Sequence, residues 1–232
     1  MTILLSLFLA LALTSVDLDV VTLPLSNDIK VALTPAGRSE MKREGTVTRI
    51  KIDIDRLAPP ATLGPAFNTY VVWAISPEGI FDSLGELDVN GVKGQFSATT
   101  RLSQFGLLIT AEPHYMVDHP SSAVAYRSQA PATDLRRKTV AVEVGAYDYS
   151  TLKPISAVGV HGSVTQARSA FQIAQLAGAD RLASDDFRNA QVVLGALEEL
   201  VNRGAPLDIV WPTANEAIRW SQRAATSARA KK

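Results

Sequence analysis

The chain has 232 residues, 47% of them hydrophobic, enough to bury one sizeable core or two small ones. Lysine plus arginine total 23, as do aspartate plus glutamate, so no net field draws the chain to nucleic acid or acidic substrates. With no cysteine it can form no disulfide, thiolate metal site, thiol nucleophile or lipid-modified cysteine.

Residues 3–13 are an uninterrupted run of apolar or small side chains, too short to span a bilayer and suited to the hydrophobic region of a secretory signal. Ala10-Leu11-Ala12 offers a small-x-small cleavage pattern, so 1–12 reads as a signal peptide and the mature chain as periplasmic or otherwise extracytoplasmic. Met1-Thr2 contributes no basic side chain, and the competing reading is a buried first strand or helix. Asp17 and Asp19 follow at once, and no other stretch is apolar enough to be a transmembrane segment.

From Asp19 the pattern is that of strands. Segments 30–34 and 38–43 are short candidates, and Arg43-Glu44-Gly45-Thr46 is a tight turn into 47–54, where Ile50, Ile52 and Ile54 alternate with Lys51 and Asp53. Three prolines between Leu57 and Pro65 remove ladder donors and mark a crossover loop. Tyr70-Val71-Val72-Trp73-Ala74-Ile75 is apolar on both faces, which only burial between two layers satisfies. Ser76-Pro77-Glu78-Gly79 is a turn, 80–89 a strand, Asn90-Gly91 a hairpin signal, and 94–101 and 105–112 the next two strands. Segment 128–138 is polar and reads as the exit from this core, and 139–144 as a further strand.

The order Leu57-Ala58-Pro59-Pro60, Tyr70 through Ile75, Leu84-Gly85-Glu86-Leu87, Ile109-Thr110-Ala111-Glu112-Pro113, and Pro120-Ser121 before Val124 resembles the extracytoplasmic domain of anti-sigma-K factors. The likeness covers roughly 37–126, under half of the chain. It implies an immunoglobulin-like β-sandwich outside the cytoplasm, with Trp73 in its core. The zinc-containing anti-sigma domain of that family and the helix joining it to the sandwich have no counterpart here, so sigma-factor sequestration is not implied.

Segment 150–162 has no consistent period and reads as a linker. Beyond it the period is helical. Ser163-Val164-Thr165-Gln166 has the form of a capping box, followed by a stripe of Ala167, Ala170, Phe171, Ala174 and Ala177 up to Gly178. Ser184 with Asp185 and Asp186 starts a second helix whose stripe is Phe187, Ala190, Leu194, Leu197 and Val201, stopping at Gly204. Pro206 and Pro212 place the start of a third helix between 208 and 213, with Ala214, Ala217, Ile218, Ser221 and Ala225 on its inner face. This alanine-rich module is similar to short helical domains of bacterial envelope proteins. Ile173 and Leu176 are left as candidates for contact with the sandwich, a second copy or another envelope protein.

The chain is therefore read as α+β: a β-sandwich over 19–149, a linker over 150–162, and a helical hairpin or three-helix bundle over 163–232. Glu112, His114, Asp118 and His119 put four possible metal ligands within eight residues, but their spacing matches no metal motif, and solvated loop histidines are the simpler reading. His161 lies in the linker. No Gly-x-Ser-x-Gly elbow is present; Ser103, Ser121 and Ser163 have turn or cap roles, and Asp53 and Asp55 sit on the wet face of a strand. Arg219, Arg223, Arg229, Lys231 and Lys232, interleaved with Trp220 and preceded by Trp211, suit a solvated helix face or an acidic partner. No residue is assigned to catalysis, a cofactor or a metal. The leading expectation is a non-enzymatic exported binding or scaffold module whose partner is a protein or envelope component. The alternatives are a metal-dependent enzyme using the His114 to His119 loop, or an accessory regulator of an envelope-stress pathway.

Overall fold

Backbone pairing gives eleven strands and four helices in a computed structural model that describes residues 15–24, 29–129, 135–156 and 158–232. The segment read as a signal peptide, 1–12, lies outside the described residues. The strands are β1 (Val16–Pro24), β2 (Ile29–Thr34), β3 (Gly37–Glu44), β4 (Val47–Ile54), β5 (Thr69–Ile75), β6 (Phe81–Glu86), β7 (Asp88–Asn90), β8 (Lys93–Thr100), β9 (Gln104–Glu112), β10 (Val124–Gln129) and β11 (Lys138–Val144). They form one strongly curled, nearly barrel-like antiparallel sheet in the order β11-β1-β9-β10-β2-β3-β4-β8-β7, with β5 added beside β9 and β6 beside β5. No described helix is long and apolar enough to cross a membrane.

β5 is buried along its whole length because it separates two apolar layers. Tyr70, Val72 and Ala74 face a core completed by Leu33, Ile50, Ile52, Ile54, Leu107 and Ile109. Val71, Trp73 and Ile75 face a second core with Val20, Leu108, Val140 and Val142, supplied partly by β1 and β11. Trp73 meets Phe81 edge-on with ring centroids 6.2 Å apart. The two layers touch most closely at Gly106, where a Cβ would lie 2.6 Å from both Val20 Cγ1 and the Val21 carbonyl oxygen. Only glycine lets β9 pass so near β1.

Two strand expectations need correction. The run 80–89 is not one strand: β6 pairs with β5 and β7 with β8, and between them the amide of buried Leu87 turns aside to donate to the Tyr70 carbonyl at 2.9 Å. The hairpin at Asn90-Gly91 joins β7 to β8, with Gly91 at φ 60°. Segment 128–138 is not wholly an exit, since β10 continues to Gln129 and the buried Ser128 hydroxyl accepts from the Leu107 amide at 3.0 Å.

The helices are α1 (Gly162–Leu176), the single-turn α2 (Ala179–Leu182), α3 (Ser184–Asn202) and α4 (Leu207–Arg229). α4 packs against both α1 and α3, and the seam is lined by Val164, Ala167, Ala170, Leu197, Ala214, Ala217 and Ile218. Its alanines allow close approach of the helix axes, and Leu197 supplies the bulk. Arg168 clamps α1 to α3 through a bidentate pair with Glu198, both bonds at 2.7 Å. α4 starts at Leu207, before the expected range, with Pro206 as its N-cap and Pro212 inside the second turn.

The expected cap of α1 is different. His161, not Ser163, is the N-cap of α1, its Nδ1 accepting from the Ser163 amide at 3.2 Å. Gln166 does not reach back to the helix start. α3 starts at Ser184 as its sequence suggests, with Ala183 as the N-cap. Segment 150–162 is also tied down: Leu152 and Tyr149 join Ala66, Ile173, Ala174, Ala224 and Ala228 in a cluster shared by sheet loops and helices. Of the two candidate contact residues, Ile173 is buried in that cluster and Leu176 is exposed.

Candidate functional site

The helices seat on the sheet through a polar junction built by the loop after β9 and by the β6 end. The Tyr115 amide donates to Gln166 Oε1 at 2.9 Å, and Gln166 Nε2 donates to Glu86 Oε1 at 2.7 Å. The same Glu86 oxygen accepts from the Thr69 hydroxyl at 2.5 Å. Asn68 Nδ2 donates to the Pro113 carbonyl and to Ser169 Oγ, both at 2.9 Å, and the Tyr115 hydroxyl lies 3.3 Å from Asn215 Oδ1. At the other end Asp118 accepts from Thr226 at 3.2 Å and from the Tyr147 hydroxyl at 3.3 Å. Arg229 completes that corner, 3.8 Å from Asp118 and with its guanidinium 3.5 Å above the Tyr147 ring.

Beside the Gln166 and Asn68 ties opens a cleft of about 470 Å³. Asn68, Thr69, Glu86 and Asp88 line it from the sheet, Tyr115 from the loop, and His161, Ser163, Gln166, Trp211 and Asn215 from α1 and α4. The volume falls within the few-hundred-Å³ range of small-molecule sites, and neither layer alone makes the walls. Trp211 is 53% exposed. Local pattern gives Gln166 a capping role, sets Glu86 within the segment 80–89 and puts Trp211 ahead of a basic helix face. The signal available was an exposed-phase tryptophan in the first turns of a proline-flanked helix.

A second polar centre lies under the helices. Glu112 and His114 are both fully buried. Glu112 Oε1 accepts from the Ser121 amide at 2.7 Å and the Thr110 hydroxyl at 2.5 Å, and Thr110 accepts from the Trp73 indole at 2.9 Å. Glu112 Oε2 and both His114 ring nitrogens have no partner among the described residues. Burial pushes the Glu112 carboxyl up to about 8, against the smaller opposing effect of its hydrogen bonds. Burial, aided by the Arg229 charge, pushes His114 down to about 3. Both groups are therefore neutral near pH 7. Tyr149 is raised well above its usual value, first by burial and then by the nearby Glu112 carboxylate.

The four residues of the sequence-level metal grouping do not converge. Glu112 and His114 are buried, whereas Asp118 and His119 face outward, His119 lying edge-on to Tyr147 at 5.7 Å. His114 is thus no solvated loop histidine: it is fully buried in a loop that is tied to α1 through Tyr115 and Gln166 and to α4 through Asp118 and Thr226. Among the described residues no group of three or more metal-ligating side chains forms. Ser121 serves Glu112 and its own turn, Ser163 caps α1 with His161, and Asp53 faces Arg38 across two strands. The C-terminal cations are largely engaged within the chain: Arg223 pairs with Asp186 at 3.0 Å beside Trp220, Arg229 with Asp118, and Lys231 donates to the Leu182 carbonyl at 2.7 Å. No protein-family model matches this chain, and neither the curated proteins nor the solved structures contain a match to it.

Proposed function

We propose that this chain is a non-enzymatic, exported binding module of the cell envelope, and that it holds its partner in the cleft between sheet and helices. The observation that carries the reading is the joint construction of that cleft. Gln166 and Asn68 fix both walls by hydrogen bonds to the opposite layer, so the site has a set shape before any ligand arrives. The lining mixes an open indole with carboxylates, amides and hydroxyls, which is recognition chemistry. The lining does hold a hydroxyl and an imidazole side by side, Ser163 Oγ 2.9 Å from His161 Nδ1, but that nitrogen also accepts from the Ser163 amide at 3.2 Å and so caps α1. Export rests on the apolar run 3–13 with its Ala10-Leu11-Ala12 pattern, and on the residue order that resembles the extracytoplasmic domain of anti-sigma-K factors.

Two measurements test this. N-terminal sequencing of protein from fractionated cells should find a chain that begins after about Ala12 outside the cytoplasm; an intact Met1 or Thr2 on cytosolic protein would remove the envelope assignment. Purified protein should co-sediment with isolated envelope, and Trp211→Ala should lower the bound fraction. Co-sedimentation that ignores Trp211→Ala would remove the cleft from the reading.

A further inference from the structure

We propose that the junction cleft receives a primary ammonium group carried on a polar body, the ammonium held between Glu86 and Asp88 and the body laid against Trp211. The inference rests on the binding reading above and names its ligand chemistry.

Charge comes first. No lysine or arginine lines the cleft, while Glu86 and Asp88 open into it. Neither carboxylate forms a salt bridge with another described residue. Outside the lining, Arg219 is close enough to Tyr115 to act on its hydroxyl, and Arg38 and Lys51 share a neighbouring surface hollow with Glu86 and Asp88; none of the three belongs to the cleft walls. An anionic ligand would meet two carboxylates and no cation in the walls, which disfavours it.

Pre-organisation is the second, independent observation. Glu86 is held from both layers, by Thr69 of β5 and Gln166 of α1, residues that are each 4% exposed. Both bonds fall on Oε1, so Oε2 has no protein donor among the described residues and is fixed in direction. A carboxylate oriented by two buried donors, in a cleft without a cation, is an acceptor set for an incoming donor. Asp88, Tyr115 and Asn215 bring further acceptor oxygens to the same walls.

The kind of cation follows from the donor count. A compact metal ion is best held by three or more charged or imidazole ligands, and no group of three His, Cys, Asp or Glu side chains forms among the described residues. A quaternary ammonium has no N–H to give these oxygens and prefers a cage of Trp, Tyr or Phe rings, of which the lining supplies Trp211 and Tyr115. A primary ammonium donates three bonds and can meet both carboxylates. Its carbon body, bearing hydroxyls or amides, covers the exposed indole while its polar atoms reach Asn68, Ser163 or His161.

The test is calorimetric and fluorimetric titration of the full chain with glucosamine, spermidine, glucose and glucuronate. Glucosamine or spermidine should bind with a Kd of about 1 mM or tighter and change the tryptophan emission, with glucose and glucuronate at least roughly ten-fold weaker. Preference for glucosamine assigns an amino sugar and preference for spermidine an aliphatic amine. Asp88→Asn, on an exposed strand away from the helix ties, and Glu86→Gln should each weaken the amine about ten-fold, the first with an unchanged melting midpoint. Glucose binding as tightly as glucosamine, no amine binding at about 10 mM, or affinities unaltered in Asp88→Asn would overturn the assignment. If the amines fail while envelope co-sedimentation still depends on Trp211, the ligand class alone is wrong; if both are lost, the binding reading falls with it.

Discussion

Replacing Glu112 by glutamine tests the buried centre most directly, because it keeps the shape of the side chain and removes its ionisation. In the folded chain the Glu112 carboxyl titrates at about 8 against an ordinary value of 4.5, so its folded pKa is raised. Stability from this group is full below pH 4.5 and is lost as pH rises towards about 8, because the unfolded chain gives up its proton first. His114 acts in the opposite sense. Its folded pKa is depressed to about 3 from 6.5, so its contribution is full above pH 6.5 and is lost as pH falls through about 3. Between pH 4.5 and 6.5 the two slopes offset each other, and Glu112 acts alone only from about 6.5 to 8.

Over that window of about 1.5 in pH, at about 1.4 kcal/mol per unit, the wild-type chain should lose roughly 2 kcal/mol that Glu112→Gln does not lose. The glutamine carbonyl can keep the bonds from Ser121 and Thr110, so the variant should fold. Urea unfolding followed by tryptophan emission at intervals from pH 6 to 9, with the slope m compared at each point, reads the difference. Parallel curves for the two proteins over this range would show that Glu112 is solvated or ionised, and would refute its burial.

Trp73→Ala should cost about 3–5 kcal/mol in the same unfolding assay, because the indole is 1% exposed and its loss leaves a cavity and a stranded Thr110; a shift typical of a surface change would place Trp73 outside the core. Gln166→Ala should cost about 1–3 kcal/mol and raise amide exchange at Tyr115 before that of β5, since it removes a donor and an acceptor from the junction. His119→Ala should stay within about 0.5 kcal/mol of wild type, and purified protein should carry no stoichiometric metal; about one zinc per chain, lost with the histidines, would restore the metal-enzyme alternative. Residues 163–232 expressed alone should melt with lower cooperativity than in the whole chain and gain helix on adding the sheet portion, because Ile173 and Ala224 bury against Ala66, Tyr149 and Leu152; an isolated fragment as stable as the parent would show the junction to be incidental.

Periodicity showed most of the fold because the signals were local. β5 could be read as a strand between two layers from its apolar run, and the hairpin at Asn90-Gly91 from its turn chemistry. The inner faces of α1 and α4 could be read from alanine spacing. What escaped were side chains whose partners are remote. Gln166 fits a capping box locally, but its actual partner Glu86 is 80 residues away. Glu112 and His114 look like the polar end of a strand running into a loop. They are buried because a later segment folds over them, which no window around 110–119 can contain. The cleft combines both problems, since Trp211 and Glu86 meet only through the packing of α4 on the sheet.

The polar character of this junction is a reason to treat it as more than a docking surface. Hydrogen bonds exchanged with water contribute only about 1 kcal/mol net each, whereas burying apolar side chains of similar size would hold two layers together more strongly. The chain uses the apolar solution at the shared cluster around Tyr149, Leu152 and Ile173. It uses the polar one at Gln166, Asn68 and Glu86, where the cleft opens. Directional bonds fix angles and positions that apolar contact leaves free, so their concentration along the cleft walls sets the orientation of Glu86 and the spacing between β6 and α1. The apolar cluster supplies the attachment, and the polar ties supply the geometry that a ligand would read.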